Sequence, residues 1–248
     1  MLNKNEMIVD TVLLAGKIMI ESGSDMTRVH DTMERIARSA GVVDPRIFET
    51  TTGIVMSIPT KKTAEVQPIL SRSIDLEKVA RVNAISRAFA NKELSLKETH
   101  ENLQALTLAV PVFSFRSQLL AAIVVGCTLS IMYGGYWGDL GATALASGLG
   151  FTIYSKINRH FRFRFGSEFI AAFTIAVTAL LCVRSGFGKS LDMIIIAGLM
   201  PLVPGVPITN AVRDLLAGHI LSGIARGIEA LLVAAALGTG VAVIFRYL

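Results

Sequence analysis

Four charged residues stand close together near the end of the chain: Arg213 and Asp214, then Arg226 and Glu229 one helical turn apart. All lie in or beside apolar sequence, where ionisable groups usually face a cavity or each other. Arg226 can hold a carboxylate through a forked pair of hydrogen bonds. It can equally form a structural pair with Glu229 or with Asp214, and the sequence leaves both readings open. Just before these charges, "PLVPGVPITN" sets Pro201, Pro204 and Pro207 at three-residue intervals, with Gly205 among them. A continuous helix cannot tolerate that spacing, because each proline removes a backbone donor and clashes with the preceding turn. Broken backbone within an apolar stretch is tolerated where it is buried in protein or lines a wet cavity. Transporters use such breaks to set backbone dipoles around a solute. The alternative is a simple proline kink or a loop at the membrane edge. Thr209 and Asn210 add neutral hydrogen-bonding groups suited to a small polar solute. The expected substrate pathway is therefore Pro201, Pro204, Gly205, Pro207, Thr209, Asn210, Asp214, Arg226 and Glu229. Asp139 and Arg184 are candidates for its external mouth.

Other chemistry is sparse. Arg28, His30, Asp31 and Glu34 share one helix, with His30 and Glu34 spaced i, i+4. A ligand or metal site would want more donors at close spacing, so a solvated helix face is the simpler reading. His100 and His219 stand alone. "RSGFGKS" (184–190) ends like a phosphate-binding loop, but Val183 occupies the position where the first glycine belongs, and no strand precedes it. No HExxH, GxSxG or paired-carboxylate pattern is present. An enzyme, a cofactor and a bound metal are accordingly not expected. Cys127 and Cys182 both lie in apolar runs and read as small buried hydrophobes rather than as a disulfide framework.

The elements that must position these residues are mostly apolar. The 248 residues are 52% hydrophobic and only 17% charged, with a mean hydropathy of +0.57, too apolar for an ordinary soluble enzyme. The charge is concentrated before residue 110 or so, and from Ser117 onward come long runs that read as about five transmembrane helices. These are Ser117–Gly135, Gly138–Ile157, Glu168–Gly186, Leu191–Asn210 with the prolines, and Ile224–Phe245. The loop between the second and third carries Lys156, Arg159, Arg162 and Arg164, whereas the turn between the first and second has no Lys or Arg. The positive-inside bias then sets the N-terminus in the cytoplasm and the C-terminus outside, with Tyr133, Tyr136 and Trp137 at the external boundary. The same bias explains the net charge of +5 without nucleic acid. Ala142, Ala146 and Gly150 recur every fourth residue, as do Gly223 and Gly227. Such faces let helices approach closely, either within one bundle or between subunits. An odd span number leaves no internal inverted repeat, which suggests that a second half comes from another chain.

The expected fold is an integral membrane α-helical bundle (116–248) with an N-terminal cytoplasmic α+β domain (1–115). In that domain "NEMIVDTVLLAGKIMIES" and "DMTRVHDTMERIARSAG" have helical periodicity, the first interrupted by charges unlike a signal peptide. Ser24 and Asp25 start the second helix and Gly41 ends it. "RIFETTTGIVMSIPTKK" reads as two strands and a turn, "AEVQPIL" as a third strand. Two more helices follow, capped by Asp75 and Ser95.

The segment "LMPLVPGVPITNAVRDLLAGHILSGIARGIEALL" resembles the threonine/serine exporter (ThrE) family, in particular the YjjP-type subunit of its two-component branch. "ESGSDMTRVHDTMERIARSAGV" and "DLEKVARVNAISRAFANKELSLKETHENL" are similar to its soluble helices, so the resemblance covers nearly the whole chain. It implies a multi-pass protein of the bacterial plasma membrane that exports small polar metabolites: threonine and serine, or a dicarboxylate such as succinate. Single-chain members fuse this half to a second membrane segment. The resemblance therefore implies a separate, smaller membrane subunit as partner, with a higher oligomer left open and transport driven by a gradient. It carries Pro201 to Asn210, Asp214, Gly223, Arg226 and Glu229 over as the pathway region, and no catalytic residue. His30 stands where many relatives are expected to have an acidic residue. A regulatory or assembly subunit, and a membrane-anchored enzyme, are the competing classes.

Overall fold

The computed structural model describes residues 4–59, 63–108, 113–161 and 165–246. Its elements are, in order, α1 (Lys4–Glu21), α2 (Met26–Ser39), β1 (Arg46–Thr50), β2 (Gly53–Ser57), β3 (Glu65–Pro68), α3 (Leu76–Ala90), α4 (Leu96–Leu108), α5 (Phe115–Met132), α6 (Leu140–Phe161), α7 (Gly166–Arg184), α8 (Leu191–Leu199), α9 (Gly205–Leu216) and α10 (Ile220–Phe245). Short 3-10 turns cover Trp137–Asp139 and Met200–Leu202. Two compact units result. One comprises Met1–Pro111 with Gly205–Ile228, the other Val112–Pro204 with Glu229–Leu248. The segment after the prolines thus belongs with the N-terminal part of the chain. Lys61, Lys62, Arg162 and Arg164 lie outside the described residues.

In the first unit α1 is the central helix, packed against α2, α3, α4 and β2. Its apolar residues fall on more than one face, and ten of its residues are buried. Such a helix belongs in a core rather than on a surface. The side chains of Met19, Ile20, Met26, Met33, Ile36, Ile54, Met56 and Leu103 fill the space around it. A Cβ on Gly16 would meet Met33 Sδ, and Ile54 Cδ1 at 2.8 Å, so glycine there lets α2 and β2 close on α1. The predicted caps form. Asp25 accepts from Arg28 N at 3.0 Å and Asp75 from Lys78 N at 3.1 Å. Ser95 and Glu98 make a reciprocal box, with Ser95 N donating to Glu98 at 2.8 Å and Glu98 N to Ser95 at 3.2 Å.

The strands come where β-branched residues cluster. They form one antiparallel sheet in the order β1-β2-β3, with Thr50 opposite Gly53 and Ile54 opposite Gln67. Thr50 Oγ1 accepts from Gly53 N at 3.2 Å and so closes the β1–β2 turn.

In the second unit α6 packs against α5, α7 and α8. Ala142, Ala146, Ala171, Ala172, Ile175, Ala176 and Ala179 form its centre. The alanine-glycine stripe of α6 is therefore used in packing within the chain, with Gly150 set against Ile175. On α10, Gly240 approaches the α7 backbone so closely that a Cβ would lie 2.5 Å from Phe169 O.

Three helices, α5, α7 and α10, are long and apolar enough to cross a membrane, and α8 with α9 make a fourth if that bent pair is one span. Where the second span was expected there is a helix, α6, but its glycines, serines and threonines leave it less apolar than these, and it is not among the helices apolar enough to cross. The expected fourth span is interrupted: α8 passes into the Met200–Leu202 turn, Val203 is extended, and a new helix starts at Gly205.

Candidate functional site

The prolines shape the break as their chemistry requires. Pro201 sits in the 3-10 turn and Pro204 in the link before α9. Pro207 is the third residue of α9, where its missing N–H would have had no partner within the helix. Gly205 opens α9 and is exposed, as is Thr209, whose hydroxyl donates to Gly205 O at 2.9 Å.

One turn further the character changes. Asn210 and Asp214 lie on the buried side of α9, and their partners come from the link between α1 and α2. Asn210 Nδ2 donates to Gly23 O at 2.8 Å. Asp214 Oδ1 accepts from Met26 N, the first helical N–H of α2, at 2.8 Å. That donor has no partner within its own helix, and a carboxylate at a helix N-terminus also meets the positive end of the dipole. Arg226, in the second turn of α10, donates from Nη2 to Ser24 O at 2.6 Å and sets Nε 3.3 Å from Asp214 Oδ2. Arg213 Nη1 reaches Asp25 Oδ2 at 3.1 Å while Asp25 caps α2. Asp214 and Arg226 are 0% and 7% exposed, so this is a buried ion pair tied to backbone on both sides.

The helices that present these groups are held by close contact. A Cβ on Gly223 would stand 3.0 Å from Ala211 O and 2.6 Å from Leu215 Cγ, which fixes the approach of α10 to α9. The linking loop needs Gly23, whose φ of +83° is in the left-handed region.

A second cluster lies in the same unit. Glu49 on β1 is buried, with His30 Nδ1 at 3.0 Å and His219 Nδ1 at 3.9 Å from its Oε1. Burial pushes the Glu49 carboxyl above its ordinary range, and the two histidines pull it down only in part. A cavity of about 390 Å³ adjoins it, lined by His30, Glu49, Thr50, His219 and Ser222 among others. Glu34, the expected i, i+4 neighbour of His30, pairs instead with Arg38 at 2.7 Å. Glu before Arg at this spacing is the favoured orientation.

The structure thus brings together Asn210, Asp214 and Arg226 and joins them to Gly23, Ser24, Asp25 and Met26. It does not bring Asp139 to Arg184. Asp139 is fully buried and accepts from Lys189 N at 2.6 Å and Ser190 N at 3.1 Å. The N–H groups of the "RSGFGKS" turn therefore face the chain's own carboxylate. Arg184 ends α7, exposed, where a cation suits the helix dipole. Glu229 lies half-buried on α10, one turn beyond Arg226. Sequence reasoning missed Asp25 as a partner of Arg213, and Glu49 altogether. A contact between residues so far apart leaves no periodic trace in one sequence.

Three apolar helices of spanning length, with a bent pair interrupted by prolines, mark a membrane protein. The family model described as "Putative threonine/serine exporter" matches residues 10–248, and the chain belongs to that family. It is 22% identical over 96% of its length to the "Probable threonine/serine exporter" of Mycobacterium tuberculosis, spanning 46% of that longer protein. It is 25% identical over 84% of its length to the "Probable succinate transporter subunit YjjP" of Klebsiella aerogenes, covering 81% of it. The chain therefore spans about half of the mycobacterial relative and most of the other. No solved structure matches it.

Proposed function

We propose that the chain is one subunit of a plasma-membrane exporter for small polar metabolites, an amino acid such as threonine or serine or a dicarboxylate such as succinate. It acts with a second, smaller membrane subunit and carries out no catalytic step. The observation that carries this reading is the helix break between Leu202 and Gly205, within apolar sequence of an exporter-family chain. Freed backbone groups at such a break suit a solute path. Pro201, Pro204, Gly205, Pro207 and Thr209 form the break itself. Asn210, Asp214 and Arg226 hold its far side to the α1–α2 link, and Glu229 follows on α10. Asp139 shapes the outer end from within the fold. The name of the Klebsiella relative, a transporter subunit, supports a partner. The α6 helix is taken as a fifth span, because its small-residue face is buried against α7. Lys156 and Arg159 near its end support a cytoplasmic N-terminus and an external C-terminus.

Efflux from proteoliposomes loaded with labelled threonine, serine or succinate tests the proposal. The chain, a second subunit of its family, and both together are compared. Efflux only with both is the expected result. Efflux from the chain alone would replace the two-part reading with a self-sufficient oligomer.

One observation favours a second reading. Asn210, Asp214 and Arg226 all bond to the chain's own backbone, as they would in an assembly or regulatory subunit. Efflux from the partner alone, merely tuned by this chain, would select that reading.

A further inference from the structure

Among the described residues of the second unit, three buried hydroxyls have no hydrogen-bond partner: Ser130 on α5, and Thr143 and Ser147 on α6. They are 1%, 0% and 1% exposed. Helical hydroxyls normally donate to the carbonyl four residues back. Thr152, Thr174, Thr178 and Thr239 in the same unit do so, at 2.7–2.8 Å. Leaving a buried hydroxyl unpaired is costly, the more so between apolar helices.

Two of the three share a helix face. Thr143 and Ser147 are one turn apart on one face of α6. A Cβ on Gly126 of α5 would strike Ser147 Oγ and lie 3.2 Å from Ala197 O of α8. Glycine at 126 therefore admits the Ser147 hydroxyl where three helices meet. Cys127 Sγ reaches Leu140 O at 3.6 Å, so α5 and α6 form a hairpin. Ser130 stands apart from that pair: a Cβ on Gly135, in the turn after α5, would lie 2.6 Å from its Oγ.

The prolines add a third oxygen, beside those of Thr143 and Ser147. In an unbroken helix the Ala197 carbonyl would accept from residue 201, but Pro201 has no N–H. It receives the tighter bond from Met200 N, and one bond leaves a carbonyl oxygen with a second lone pair. One turn before Thr143, α6 begins at the buried Asp139 carboxylate.

We propose that Thr143, Ser147 and the Ala197 carbonyl line the solute path and receive a hydrogen-bond-donating group, such as an ammonium head. This rests on the exporter reading and gives its path a wall on α6 and α8. Pro201 then acts by unlocking a carbonyl as well as by ending a helix.

The test separates a working seam from an inert one. Thr143→Val with Ser147→Ala removes both hydroxyls with little change of shape. The variant should be as heat-stable as the parent or more so, because unpaired polar groups are gone, yet its efflux should fall at least about tenfold. Independently, Ser147→Cys in a chain carrying Cys127→Ser and Cys182→Ser should be modified by a small cationic thiosulfonate from water. Efflux equal to that of the parent overturns the proposal. So does a thiol at 147 that stays unmodified while one placed at the exposed Tyr133 reacts. If the parent moves no solute, the exporter reading fails, and the labelling at 147 still decides the seam.

Discussion

Asp214 takes the Met26 N–H at 2.8 Å across 188 residues of sequence, and Arg226 faces its second oxygen at 3.3 Å. A carboxylate on a helix after the proline break thereby completes the N-terminus of a helix near the start of the chain. Both charged groups are buried, so neither is a surface ornament.

Asp214→Asn keeps an acceptor for Met26 but removes the charge that Arg226 Nε faces. Breaking a buried pair in this way costs about 3–5 kcal/mol. Thermal unfolding of the full chain in detergent reads the loss. Arg226→Met should cost a similar amount, and the double variant should cost less than the sum by more than about 1 kcal/mol. Additive losses would mean that the two residues act separately.

Gly23→Ala and Gly41→Ala both force alanine into left-handed backbone, at φ +83° and +94°. Strain alone costs about 1–2 kcal/mol. At Gly41 an added Cβ meets nothing within 4 Å, whereas at Gly23 it meets Ser73 O at 3.1 Å. The Gly23 variant should therefore unfold at the lower temperature. Equal melting of the two would show that Ser73 yields freely.

Glu49 gives a pH dependence with a definite sign. Burial raises its carboxyl above the ordinary range, so the folded protein holds that proton more tightly than the unfolded chain does. The associated stability is complete below the ordinary carboxylate value and is lost as pH rises through the raised one. Glu49→Gln should melt above the parent at neutral pH, and the two should converge below about pH 4. A parent that melts higher at neutral pH would mean that the bonds to His30 and His219 outweigh burial.

Gly205 has open space around it, since a Cβ there would meet nothing within 4 Å. Gly205→Ala should leave the melting temperature within the change of about 0.5 kcal/mol usual for surface sites. Combined with Pro204→Leu, which restores a backbone donor, it should abolish export while insertion into membranes continues. Normal export by the double variant would detach the break from the solute path.

Much of the scaffold was legible because its signals are local. Asp25, Asp75 and Ser95 precede amphipathic runs and cap helices, and the cluster around Gly53 makes strands. The prolines foretold the break at Leu202–Gly205. The small residues of α6 announced close packing, though not whether the neighbour was internal. The site was legible only by halves. Asp214 and Arg226 stood out as charges in apolar sequence, with their pairing among the options, but the backbone groups they bind carry no sequence signature. Glu49 looked like any strand glutamate, since only the fold puts His30 and His219 beside it. Ser130, Thr143 and Ser147 resembled other helical hydroxyls, because a missing bond is visible only in three dimensions.

The inclusion of Gly205–Ile228 in the first unit has a consequence for how the chain is born. At about 5–20 residues per second, Asp214 leaves the ribosome roughly 10–40 s after Met26. During that interval the α1–α2 link waits with its polar backbone unmatched, while α5 to α8 are synthesised. The N-terminal unit is thus the first to begin folding and among the last to finish. A stop codon anywhere before Asp214 would strand it incomplete, an open substrate for the cell's proteases.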